Sequence, residues 1–164
     1  KIPLDQKVAV FIGSQTPPNE LAAKRVVDIA SKVNDTLFLI VGKCSEGIKC
    51  DKRNVRIAGH VDDADRYLSM ADIGLLPILE GSGSNVKLLH YLSRGLSVVT
   101  TPFGLRGYTQ LRDYVSVGEV SAFPEIISGR PSKQVPLELI SDYTWSNITF
   151  KVDKVIRGVV NDIR

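Results

Sequence analysis

Two patterns of apolar positions alternate along the chain. Short unbroken apolar runs end in glycine or proline, and between them apolar residues recur at helical spacing. The runs are Lys7–Gly13 (Lys-Val-Ala-Val-Phe-Ile-Gly), Thr36–Val41, Val55–Ala58, Ile73–Pro77 and Ser97–Thr101. Strands of a parallel sheet covered on both faces read this way. Tyr114–Val117 predicts a sixth strand. Asn19 is expected to cap a helix through Val33 that turns Leu21, Ala22, Val26 and Ile29 toward the sheet. Asp62 or Asp63 starts a short helix through Met70, and a further helix ends at Gly95 with Val86, Leu89 and Leu92 toward the sheet. Beyond Val120 the pattern is helical near Ala122–Ser128, Pro136–Ser141 and Trp145–Ile163, with Trp145 expected to anchor packing.

Strand and helix in alternation predict an α/β fold: a doubly wound, Rossmann-like parallel sheet of about six strands with flanking helices. Its crossovers are right-handed and its ligands bind at the carboxyl ends of the strands. Gly13, Gly42, Gly59, Gly81, Gly83 and Gly104 all fall on that rim. The stretch Glu80-Gly-Ser-Gly-Ser-Asn-Val-Lys-Leu-Leu-His90 is the most pointed feature of it, a glycine-serine loop running into a helix. Gly81 and Gly83 allow a tight turn and close approach of a ligand. Ser84 or Asn85 is placed to cap the helix, whose first N–H groups then face an anion. Lys87 falls in the first turn, where a cation opposes the helix dipole unless something negative offsets it. His90 shares its helix face. The loop is neither a dinucleotide fingerprint nor a P-loop: Val86 stands where the third glycine belongs, and Lys87 is not preceded by glycine.

Composition narrows the field without redirecting it. The 164 residues, 43% hydrophobic and 24% charged, suit one globular domain spanning 1–164. A net charge of +3 without basic runs gives no sign of nucleic acid, while anionic small ligands fit. No apolar run reaches membrane-spanning length. The start, Lys1-Ile-Pro-Leu, has neither a signal-peptide pattern nor a methionine, so the chain is expected to be part of a longer protein. Cys44 and Cys50 read as free thiols, not zinc ligands, and no serine or cysteine is spaced with a histidine for a hydrolase triad.

The order of these segments resembles the C-terminal, nucleotide-sugar-binding domain of family-4, GT-B-fold glycosyltransferases, the glycosyl transferases group 1. The resemblance runs through Phe11-Ile-Gly-Ser14 with Pro17-Pro-Asn19, Leu39-Ile-Val-Gly42 and Val55-Arg-Ile-Ala-Gly-His-Val61. It continues through Ala71-Asp-Ile-Gly-Leu-Leu-Pro77, Gly81–His90, Arg94–Gly104 and Tyr143-Thr-Trp145. It implies one half of a retaining transferase that moves a hexose from a nucleotide-diphosphate sugar, a co-substrate, to a glycan or lipid-linked acceptor. An N-terminal acceptor domain, missing here, would complete the enzyme in the cytoplasm or at the inner face of the membrane. No metal or other cofactor is implied, in line with the absence of an Asp-x-Asp loop. Lys87 would be the catalytic cation. Gly13, Ser14, Asn19, His60, Val61, Glu80, Gly81, Ser82, Gly83, Ser84, Asn85 and His90 would bind the donor, with His60 and Val61 at the base. Three positions depart from the family pattern: His90 replaces a glutamate that holds the ribose, Ser14 replaces an arginine, and Asn19 stands near a customary lysine. Those departures keep open a non-catalytic relative serving binding or structure, or another doubly wound nucleotide-sugar enzyme such as an epimerase.

Overall fold

The computed structural model describes residues 6–131 and 135–162. The chain forms two compact units, Lys1–Gln134 and Val135–Arg164. In the first, six parallel strands lie in the order β3-β2-β1-β4-β5-β6. They are β1 (Lys7–Ile12), β2 (Thr36–Val41), β3 (Val55–Gly59), β4 (Ile73–Leu76), β5 (Ser97–Thr100) and β6 (Ser116–Val117). Strands β2, β4 and β5 are buried along their whole length, as their unbroken apolar sequences require. The predicted doubly wound parallel sheet is present, and the strand order reverses between β1 and β4.

The helices of this unit are α1 (Pro17–Ala30), α2 (Asp65–Leu68), α3 (Val86–Ser93) and α4 (Phe123–Ser128). Several differ from expectation for local reasons. Helix α1 starts before Asn19, with Thr16 at the N-cap and Pro17-Pro18 in its first positions, where proline's fixed φ suits the helix and its missing N–H is no loss. It stops at Ala30, not Val33, and its buried face is Ala22, Ala23, Val26, Ile29 and Ala30, while Leu21 is exposed. Helix α2 is a single turn, shorter than the predicted Asp62 or Asp63 to Met70. Strand β6 is only two residues, because Thr109–Tyr114 winds into a 3-10 turn.

Helix α3 contradicts the expected face. Val86 is exposed, and Leu88, Tyr91 and Leu92 are buried. The cause is Gly74 on β4: a Cβ built there would lie 2.3 Å from Tyr91 Cδ2, so the glycine's bare backbone is what admits the ring. Pairing between β1 and β4 runs only from Ala9–Ile73 to Val10–Gly74. The Ile12 N–H past that point donates to the Tyr91 hydroxyl at 2.9 Å. The fully buried tyrosine therefore fills the gap where two strands stop pairing and satisfies a backbone donor in it; burial pushes its hydroxyl pKa well above the ordinary value.

The second unit holds α5 (Leu137–Ser141) and α6 (Trp145–Asp162). Ile163, predicted as the last helical residue, lies outside the described residues. Asn147 Nδ2 donates to the Ser141 carbonyl at 2.7 Å, and Lys151 pairs with Asp142 at 3.1 Å, which fixes the turn between the helices. Within this unit Trp145 is 84% exposed, contrary to the expected packing anchor; with Ile148, Val152, Val155 and Val159 it forms an apolar stripe along α6. Among the described residues no helix is long and apolar enough to cross a membrane.

The Tyr91 plug yields a stability test. Gly74→Ala should destabilise the chain by about 1–3 kcal/mol or more, because neither strand nor ring has room to yield. Tyr91→Phe should cost about 1–3 kcal/mol by orphaning the Ile12 N–H. Chemical denaturation of the two variants beside the parent chain checks both values.

Candidate functional site

Where strand order reverses, the loops after β1 and β4 turn to opposite sides of the sheet and leave a crevice at the carboxyl edge. A cavity of about 400 Å³ occupies it, lined by Thr16, Pro18 and Asn19 after β1, by Ile78 and residues from Glu80 to Lys87 after β4, and by Arg106 after β5. The glycine-serine loop makes one wall. Gly81 and Gly83 have φ of +131° and +73°, conformations that side chains rarely adopt, which accounts for glycine at both.

Asn85 stands at the N-cap of α3, as the sequence suggested, but no side chain caps the helix there. Its Nδ2 instead donates to the Gly104 carbonyl at 2.9 Å, joining the β4 loop to the loop after β5. Thr101 strengthens the same junction: its hydroxyl donates to the Ile78 carbonyl and accepts from the Gly104 N–H. Across the crevice, Arg25 Nη1 on α1 donates to the Pro77 carbonyl at 3.2 Å. The walls of the cavity are thus tied to one another by side chains whose donors reach backbone carbonyls.

Lys87 is half-buried at this cavity. Its Nζ donates to Asn19 Oδ1 at 2.6 Å and lies 4.8 Å from the centroid of the Phe11 ring. Asn19 is oriented in turn by giving its Nδ2 protons to the Ser14 carbonyl and hydroxyl, each at 3.2 Å. Burial pulls the Lys87 pKa down from 10.5 to about 8. Burial likewise pushes the Cys44 thiol up to about 11, so Cys44 stays protonated near neutral pH and is no nucleophile. The result is an ammonium held by one neutral amide and one aromatic face, with no carboxylate bonded to it among the described residues, an arrangement that a nearby anion would stabilise.

The structure brings Asn19, Glu80, Gly81, Ser82, Ser84, Asn85 and Lys87 together around the cavity. Gly83 borders a smaller adjoining cavity with Ser84, Arg106 and Gly107. Gly13 is buried behind the wall, where an added Cβ would meet Cys44 Sγ at 2.9 Å, and Ser14 reaches the site through Asn19. His60 and Val61, beyond β3, do not line the cavity. Nor does His90: its Nε2 lies 2.7 Å from Asp65 Oδ1 on α2, and Arg94 bonds the other oxygen of that carboxylate. Sequence reasoning missed Phe11 and Arg106. The signal for Arg106 was its place in the two-glycine loop Pro102–Gly107, a strand-end loop like the one bearing Lys87. Among the described residues no cluster of three or more His, Cys, Asp or Glu could hold a metal ion.

The sequence profile of the family Glycosyl transferases group 1 matches residues 6–129. No curated relative matches the sequence. Solved structures with the same fold include HepE from Anabaena in complex with UDP, at a TM-score of 0.75 and 11% identity over 94% of this chain and 49% of that one. HepE has also been solved with UDP and glucose and with UDP-glucose. WaaG, a glycosyltransferase involved in lipopolysaccharide biosynthesis, gives a TM-score of 0.62 at 20% identity over 78% of this chain and 38% of its own. The C-terminal domain of LpcC, a group 1 family protein from Francisella tularensis, gives 0.57 at 14% identity over 78% of this chain and 76% of that domain. The chain thus spans less than half the length of HepE and of WaaG. A parallel sheet with its cavity at the β1/β4 reversal and a family profile covering most of the sequence lead to one assignment: the chain belongs to the group 1 glycosyltransferases.

Proposed function

We propose that this chain is the donor-binding part of a retaining, metal-independent glycosyltransferase. It holds a nucleotide-diphosphate sugar in the cavity at the strand reversal and helps pass a hexose to a glycan or lipid-linked acceptor. The observation that carries the reading is Lys87: a half-buried cation at the cavity, with its pKa lowered by burial and no carboxylate partner among the described residues. Transfer breaks the bond between the sugar's anomeric carbon and the diphosphate, joins that carbon to the acceptor oxygen and releases the acceptor's proton. Charge grows on the departing diphosphate, so the useful groups are those that interact more strongly with it in the transition state than in the bound donor. Lys87 and the backbone N–H groups from Gly83 to Val86 take that role, with Glu80 and Ser82 beside the sugar. The likeness to HepE makes uridine the first base to try.

The acceptor wall belongs to an N-terminal domain, which agrees with the share of HepE and WaaG that this chain spans. The whole enzyme works in the cytoplasm, at the inner face of the membrane where lipid-linked precursors are built. One observation favours a second reading, binding without catalysis: His90, where a ribose-holding glutamate would stand, is bonded to Asp65 and lies off the cavity. Activity of the two-domain parent, lost on Lys87→Ala, decides between the readings. The chain alone should give negligible transfer, and chelation should not affect the parent.

Two measurements test the site. Titration with UDP, GDP, UDP-glucose and GDP-mannose should reveal one preferred base, with Lys87→Ala binding about tenfold more weakly or worse, the scale of a lost charge-assisted hydrogen bond. Binding of the diphosphate that is unchanged in Lys87→Ala would refute the assignment. The pH profile follows from the lowered pKa. Below about 8 Lys87 is already charged and affinity should be level, whereas above it each bound diphosphate must recruit a proton. Affinity should therefore fall by up to about tenfold per pH unit above that value, and the Lys87→Ala profile should be flat.

A further inference from the structure

Lys87 is not the only cation beside the cavity. Arg106, in the loop between β5 and β6, lines the wall that also carries Glu80 and Ser84. Its guanidinium stacks on Phe103, 3.9 Å from the ring centroid, and one Nη donates to the Gly83 carbonyl. The other, Nη1, is shielded from solvent and meets no acceptor among the described residues. No described carboxylate pairs with it either, Glu80 included. A buried N–H without an acceptor is unfavourable, and more so in a charged group. Arginine cannot escape that penalty by losing its proton, as lysine does.

Nη1 is closed to a ligand as it is to water, but Arg106 lines the cavity beside Glu80 and Ser84 and can offer an anion its fixed positive charge. The loop itself is made rigid by the Asn85–Gly104 and Thr101–Gly104 bonds, so Arg106 is not needed merely to keep it closed. A clamp on one carbonyl would use a single N–H and no charge, whereas a guanidinium offers five donors in a planar fork suited to phosphate oxygens. With Lys87 and Arg106 against Glu80, the cavity lining has an excess of positive charge, which favours an anionic guest.

We infer that Arg106 is a second donor-binding residue, contacting the diphosphate from the β5 side while Lys87 contacts it from α3. The inference rests on the donor-binding reading above. It also supplies a cation to a site whose first loop, from Ser14 to Asn19, holds no lysine or arginine.

The test compares diphosphate with monophosphate, using amide spectra of the chain, of Arg106→Gln and of Arg106→Lys during titration with UDP and UMP, and with GDP and GMP. Arg106→Gln should weaken the diphosphate about tenfold and the monophosphate less than twofold, and Arg106→Lys should recover part of the loss. Spectra unperturbed away from the two loops will show that each variant is folded. Equal weakening of both ligands, or a loss that Arg106→Lys does not recover at all, would assign Arg106 to loop shape and overturn the inference. Diphosphate binding unaffected by Arg106→Gln would overturn it while leaving the donor-binding reading intact. A parent chain that binds neither diphosphate would bring down both.

Discussion

Everything at this end of the molecule depends on where β1 and β4 stop pairing. Two central strands of a continuous sheet share only the rungs from Ala9–Ile73 to Val10–Gly74, and the backbone beyond needs a partner that is not a strand. The partner is a phenol. Tyr91 enters through the space left by Gly74 and accepts the Ile12 N–H, so that β1 runs on to Gly13 without an orphaned donor. Its helix, α3, is thereby seated against the reversal, and the lysine near that helix's start stands at the mouth of the crevice. Core packing and the position of the charged group are one decision.

The loops around the cavity follow a different logic. They have little apolar surface to bury, and their shape comes from hydrogen bonds to backbone carbonyls: Asn85 to Gly104, Thr101 to Ile78, Arg25 to Pro77. Side chains that would ordinarily face water are used inward as ties, leaving much of the loop backbone exposed along the rim. A wall built in this way holds its shape while empty, which keeps small the ordering penalty on binding.

Much of this could be read in advance, and the boundary between what could and could not is physical. Buried parallel strands must be unbroken apolar runs, so Lys7–Gly13 and Thr36–Val41 declared themselves, and glycines at their ends marked the edge that bears the cavity. The glycine-serine loop and Lys87 were legible because chain direction and spacing are local. What escaped depends on partners distant in sequence. Asn19 meets Lys87 across 68 positions, and His90 meets Asp65 across 25, neither of which any periodicity encodes. The buried face of α3 was misjudged because the room for Tyr91 is made by a missing side chain on another element. The start of α1 was misjudged because a proline pair competes with an asparagine that reads equally well as a cap.

Asn19 has one more consequence. Its Oδ1 could have been a carboxylate oxygen at the same distance from Lys87, and the ammonium would then have been neutralised permanently. The amide gives the same hydrogen-bond geometry without the negative charge, so the electrostatic burden of a desolvated ammonium stays in the empty protein. The amide at position 19 therefore leaves an unfavourable burial of charge inside the unit, a local loss of stability that a carboxylate there would remove.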